Sequence, residues 1–459
     1  MFYHLRKTFT FSFSDYIRLT FFNFKSPFLK DDCSRSKLSS DLLCSARYLI
    51  TSFVKILLYT DLTIRPDQLF WHRDLGLLTK AFRDLGHEAY LVVHLATEPP
   101  PPSHIRTFPH SHIPTSATSS NIKNPKSSIQ DDPVLWVSQQ DVLNTLWWQS
   151  QKPDLVILGL WTRPKYDPIR RAALSATPRV IERADSDGMR TASCGLLSYT
   201  KRRFDYFRDR TFRWPSLLSI LASIFYSFTS ILATPWIEFR LRKTLRLLPS
   251  VLIETPPATL LWKSLATRLG ADPEKIHHVP HPIQTDIFKF DPAIPKKNQI
   301  ISVGRWDSYQ KDLPLLLKIL RSFLDKNPSW TSLVIGSGLP PKSPHPRITF
   351  LPPLAPPDLA RHMQGSKIFL SSSRYESFGL ASAEAEACRC LVVGPFEIPA
   401  LANFPSSENN FLFGSSSQRL LARLSHASSL RFNRPPTLHP PSPSFSVAPQ
   451  IILVCKIIT

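Results

Sequence analysis

Two short stretches carry the residue types that could do chemistry. In VGRWDSYQKD, residues 303–312, Arg305 and Lys311 follow an apolar run that ends at Gly304. If that run is a parallel strand, both cations sit at its carboxyl end, where open α/β sheets bind ligands. Arginine offers a planar fork to phosphate oxygens and lysine a mobile point charge, so together they could neutralise a diphosphate without a metal. Taken alone, the same residues also suit a solvated basic turn. In SSSRYESFGLASAE, residues 371–384, a polar run leads into Phe378, Gly379 and Leu380, where a helix should begin. Unpaired amides at that start carry partial positive charge and form a second phosphate site. Glu384 lies one to two turns inside, too far to cap the helix, and could accept two hydrogen bonds from a ribose diol. Glu376, in the loop ahead, could accept hydrogen bonds from the hydroxyls of a sugar or simply favour the helix dipole.

The elements that must position these residues can be read from hydrophobic periodicity. VKILLYTDL, residues 54–62, reads as the first buried strand of an α/β domain, followed by a helical pattern over 75–85 and a strand in GHEAYLVVHL. KPDLVILGLW and PRVIERADSDG supply further strands, and SVLIETPPATLLWKSLATRLG a strand and a helix. A second alternation begins near Gln299: QIISVG, a helix over about 312–325, SLVIGSG, RITFLP, a short helix near 358–363, and KIFLSSS. Such alternation predicts two mostly parallel sheets covered by helices. The 43 prolines against 13 glycines are concentrated outside these elements. Residues 97–132 are a Pro/Ser-rich insertion, 1–53 an N-terminal extension outside the fold, and 431–459 a Pro-rich tail, all expected to be disordered.

With both motifs in order, the chain resembles the retaining, nucleotide-sugar-dependent glycosyltransferases of family 4, which have the GT-B fold. The matching segments also include GHEAYLVV, KPDLVILG and HHVPHPIQTDIF, and the resemblance runs from about Val54 to Phe413. It implies two facing Rossmann-like domains, residues 54–286 on the acceptor side and 287–430 on the donor side, with truncation of the latter as an expectation. It also implies that Arg305 and Lys311 hold the diphosphate, with Gly304 among the donor-binding residues. Glu376 and the Phe378, Gly379 and Leu380 backbone would meet the sugar and phosphates, and Glu384 the ribose. The partner is a nucleotide sugar, the acceptor a glycan, lipid or small molecule, and neither a cofactor nor a metal is expected. TIRPDQLFWHRD stands where the family has a glycine-rich loop, which makes His72 and Arg73 candidate cleft residues. Arg183 and Asp185 are two more, and the Asp185-x-Asp187 pattern is read as a loop-ordering turn rather than a metal site. Arg389 occupies a helix end where the family has glycine, which predicts a left-handed residue with a side chain.

The net charge of +21 calls for anionic partners. Pro215 to Pro235 contains no charge, and its flanks carry Lys201, Arg202, Arg203, Arg208, Arg210 and Arg213 on one side and Arg240, Arg242, Lys243 and Arg246 on the other. Regularly spaced serines and threonines argue against a crossing. The segment 201–246 is therefore expected to dock on an anionic membrane surface, with a buried helical hairpin as the rival. A non-catalytic protein binding membrane or nucleic acid is the rival at the level of function, since KRRFDYFRDRTFRW interleaves cations and aromatics. A nucleotide-sugar epimerase or phosphorylase is the rival on the same fold. No nucleic acid partner is expected. The six cysteines form neither a disulfide framework nor a two-residue metal spacing, which points to a reducing, cytoplasmic compartment.

Overall fold

The computed structural model describes residues 54–61, 74–94, 133–160, 164–184, 196–395, 398–403, 411–413 and 416–429. The extensions, the insertion at 97–132, His72, Arg73, Asp185 and Asp187 lie outside these residues. The first sheet contains β1 (Lys55–Thr60), β2 (Glu88–His94), β3 (Val134–Val137), β4 (Leu155–Gly159), β5 (Val180–Ala184), β6 (Ser250–Ile253) and β7 (Ile276–His278). Its spatial order is β3-β2-β1-β4-β5-β6-β7, and every neighbouring pair is parallel. The second contains β8 (Lys297–Arg305), β9 (Thr331–Ser337), β10 (Ile348–Leu351), β11 (Ser366–Leu370), β12 (Leu391–Gly394) and β13 (Phe411–Phe413). Its order is β10-β9-β8-β11-β12-β13, again all parallel.

The helices of the first half are α1 (Asp74–Asp84), α2 (Gln139–Leu143), α3 (Thr145–Gln151), α4 (Asp167–Leu174), α5 (Leu196–Arg210), α6 (Ser216–Leu232), α7 (Thr234–Leu247) and α8 (Pro256–Arg268). Those of the second are α9 (Leu313–Lys326), α10 (Pro356–Gly365), α11 (Leu380–Ala387) and α12 (Ser417–Ser429). Central strands are apolar on both faces because helices cover both: Ile56, Leu57, Leu58 and Tyr59 are all fully buried. In α9, Leu316, Ile319, Leu320, Phe323 and Leu324 form the stripe that packs on the second sheet, and Asp312 caps the helix by accepting from the Leu315 amide.

Strands β3, β7, β12 and β13 were not anticipated. Each has only three or four residues, too short to establish an alternation, and each is defined by pairing with a neighbour distant in sequence. The expected left-handed residue is found: Arg389 has φ 60°, and the Cys390 amide reaches back to the Ala385 carbonyl to close α11. Cys388 and Cys390 are free and buried in the second core, as small apolar residues would be.

Helices α5 and α6 form a hairpin whose polarity is reversed relative to a core hairpin. Ser219, Ser223 and Ser227, spaced one turn apart, are the buried residues of α6, while Leu217, Phe225 and Phe228 are each at least 60% exposed. Ser223 and Ser227 return their hydroxyls to the carbonyls one turn back, each at 2.6 Å, so their burial leaves no donor unpaired. Small side chains allow α6 to approach α5 closely, and Arg208 and Thr211 hydrogen-bond Ser219 across the contact. The rival expectation of a buried hairpin therefore holds for the serine face alone.

Candidate active site

The residues singled out in the two motifs come from two loops at the carboxyl edge of the second sheet. β8 ends at Arg305, an exposed residue in register with Ser337 of β9. The chain then turns through Trp306, whose indole is buried and donates to the Ile335 carbonyl at 3.0 Å, anchoring the loop from below. Gly336 and Gly338 make that turn possible. A Cβ on Gly336 would lie 1.8 Å from the Gly304 carbonyl oxygen, and one on Gly338 would lie 2.5 Å from the Asp307 nitrogen. These two glycines were not named as site residues, although SLVIGSG shows them at a strand end, because their need is a clash with a loop thirty residues away.

Lys311 returns over Gly304, where an added Cβ would be 3.3 Å from the lysine Cγ. Its ammonium lies 2.5 Å from the Glu376 carboxylate, with side-chain exposures of 17% and 11% for the pair. Gln310 donates to Glu376 at 3.2 Å and to the Tyr375 carbonyl at 2.9 Å. Ser372 donates to the Lys311 carbonyl at 2.6 Å, the Arg374 amide to the Gln310 carbonyl at 2.7 Å, and Arg374 pairs with Asp312. The two loops are thus joined side by side, and the cation and acid assigned separately from sequence satisfy each other. An anion arriving here has to compete with Glu376 for Lys311.

Beyond Glu376 the chain enters α11 through Phe378 and Gly379. Gly379 has φ 96° and no side-chain cap, and a Cβ on it would meet Ile398 at 2.6 Å. Glycine is required twice, for the left-handed turn and for the close approach. Phe378 is buried, and its carbonyl accepts from the Ala400 amide. Glu384, on the second turn of α11, is buried rather than on a solvated face.

A cluster that the sequence reading touched only through Arg183 lies at the carboxyl edge of the first sheet. Arg183, at the end of β5, is buried and pairs with Asp74 at 2.6 Å; it also donates to the Pro280 carbonyl at 3.2 Å. His281 lies between two carboxylates, 2.8 Å from Glu254 and 3.3 Å from Asp74. Burial alone would lower the His281 pKa, but Glu254 and then Asp74 outweigh burial and the nearby Arg183, raising it to about 10. Asp74 is held well below the ordinary carboxylate range: its burial opposes this, and His281 and Arg183 overcome it. The Phe378 and His281 rings pack in a T-shaped arrangement with centroids 5.1 Å apart, so the cluster touches the entrance of α11. Glu254 and His281 follow strands closely, Arg183 lies near the end of β5 and Asp74 opens α1; only the sheet order shows that the four residues meet.

The Arg305–Lys311 loop has a second neighbour in the first half. Asp209, at the end of α5, accepts from the Ser308 hydroxyl at 2.6 Å and the Gln310 amide at 3.2 Å, and Arg213 pairs with Asp307 at 2.9 Å. Neither residue was named for this loop: Arg213 was read as part of the basic flank of the membrane-docking segment, and Asp209 was not singled out. Among the described residues, no group of three or more His, Cys, Asp or Glu is arranged to hold a metal ion.

Residues 297–426 match the family model for glycosyl transferases group 1. D-inositol 3-phosphate glycosyltransferase of Jonesia denitrificans is 31% identical over 159 residues, which is 28% of this chain and 37% of that enzyme. The chain thus covers little more than a third of that relative. Among solved structures, HepE of Anabaena in complex with UDP superposes with a TM-score of 0.50 at 13% identity, covering 88% of this chain and 97% of that one. At that identity the likeness concerns the fold, and the fold is GT-B: two Rossmann-like domains, each built on a parallel sheet.

Proposed function

We propose that this chain, whose residues 297–426 form a glycosyl transferases group 1 domain, moves a sugar from a nucleotide diphosphate donor to an acceptor held by the first domain. The observation that carries the reading is the Lys311–Glu376 pair at the strand edge, beside a helix that starts at Gly379 without a side-chain cap. In this reading the donor diphosphate takes Lys311 from Glu376, Arg305 neutralises the other phosphate, and the first amides of α11 receive the remaining oxygens. Glu376, released from its partner, accepts from the sugar hydroxyls, and Glu384 accepts from the ribose. The anomeric carbon–oxygen bond breaks with its electron pair passing to the diphosphate, leaving an oxocarbenium-like sugar. The acceptor oxygen then bonds to that carbon on the same face and transfers its proton to the departing phosphate oxygen. Retention follows, and no protein general base is needed. The fixed cations stabilise the charge that grows on the leaving group, the task a divalent ion performs elsewhere, so the reaction proceeds without a metal. A reducing, cytoplasmic setting is part of this proposal.

The test is release of nucleoside diphosphate from a panel of nucleotide sugars. Wild-type protein should release it from at least one donor, unaffected by a chelator. Glu376→Gln and Arg305→Ala should each lower the rate by about a hundredfold or more while leaving circular dichroism unchanged. Strict dependence on manganese, or full activity in both variants, would overturn the mechanism.

A further inference from the structure

The surface that the proposed chemistry does not use is the outer face of α6. Leu217, Leu221, Ile224, Phe225, Phe228 and Leu232 are all more than half exposed on this one helix. Trp236 and Phe239 continue the surface onto α7 at 60% and 56% exposure. Soluble monomers rarely leave so many large apolar side chains together in water. α6 is also turned so that its serines occupy the protein side, which leaves its most hydrophobic surface outward; packing against the domain alone would favour the opposite rotation.

The charge around this face identifies what covers it. Residues 201–246 contain ten Lys and Arg against three acids. Two of those acids are committed elsewhere, Asp209 to the Arg305–Lys311 loop and Glu238 to Arg268. Lys201, Arg210, Arg242 and Lys243 are exposed. A second copy placed on the face would bring like charges together at the rim. A nucleic acid would satisfy the cations and leave the aliphatic side chains wet. An anionic bilayer receives both at once, acyl chains against the apolar face and headgroups against the cations. The 17 residues of α6 span about 25 Å, against a hydrocarbon core of about 30 Å. No single helix among the described residues is long and apolar enough to cross; α6 and α7 satisfy length and composition only together, across a 63° bend. We infer that α6 and the start of α7 lie in the interface of an anionic lipid bilayer, with Leu221, Phe225 and Phe228 inserted among the acyl chains.

The experiment is flotation of the full chain with vesicles of phosphatidylcholine alone or of phosphatidylcholine with phosphatidylserine. The chain should float only with the anionic vesicles, less so as salt is raised. Leu221→Glu combined with Phe225→Glu should abolish flotation, and Arg242→Gln combined with Lys243→Gln should weaken it about tenfold or more, both with unchanged circular dichroism. Wild-type protein remaining with the lipid-free fraction, or the Glu variant floating as wild type does, would overturn the inference. So would a concentration-dependent dimer in sedimentation equilibrium that the Glu variant abolishes, since the face would then belong to a second copy. Nucleoside diphosphate release is measured without vesicles, so failure here leaves the proposed chemistry standing, and the reverse also holds.

Discussion

At the scale of single residues, the decisive feature is that charged groups are held by one another. His281 illustrates the cost and the use. It is buried between Glu254 and Asp74, and its proton balances two carboxylates that would otherwise be stranded. Because its folded pKa lies above the unfolded value of about 6.5, the stability it contributes is complete below about pH 6.5 and is lost as pH rises through about 10. Wild-type protein should therefore melt at progressively lower temperature across that window. His281→Gln should start lower, by about 3–5 kcal/mol at neutral pH, and lose less on the same rise. Equal slopes for the two proteins would mean that His281 is not charged in the fold.

At the scale of elements, the α5–α6 hairpin shows how small residues set a helix distance. Ser223 sits in the middle of the buried stripe, its hydroxyl bonded within its own helix. Ser223→Ala removes only that local bond and should change stability by less than about 0.5 kcal/mol. Ser223→Leu must push α6 away from α5 and should cost about 1–3 kcal/mol in urea unfolding. A tolerated leucine would show that the two helices are not in close packing. The spacing of the serines was legible in the sequence as amphipathicity, and the two readings it allowed, surface docking and a buried hairpin, differ in which face turns inward. Hydrophobic periodicity assigns the apolar face to the core, and here the apolar face is outside.

At the scale of the whole molecule, the first half reaches the Arg305–Lys311 loop through the same hairpin. Asp209 receives two hydrogen bonds from Ser308 and Gln310, and Gln310 in turn holds Glu376. Asp209→Ala should loosen the loop that presents Lys311 and Arg305, raising KM for the nucleotide sugar several-fold with a smaller change in kcat. A change confined to kcat would place Asp209 in the chemical step instead.

What the sequence determined alone is local: strands with continuous apolar runs, helices with a 3.6-residue stripe, and loops whose cations and acids suit phosphate and sugar. Those signals arise within ten or fifteen residues, so β1, β8, α9, the Arg305–Lys311 loop and the Glu376–Glu384 motif were all legible. Arg389 was legible for the same reason, as a helix end lacking its glycine. Edge strands β3 and β7, the Asp74–Arg183–Glu254–His281 cluster and the Asp209 contact depend on segments tens to hundreds of residues apart. Lys311 and Glu376 were named separately, 65 residues from each other, and tertiary structure alone made them a pair. Sheet order is the physical reason: parallel strands brought side by side gather their carboxyl ends on one edge, and only that edge decides which charges meet.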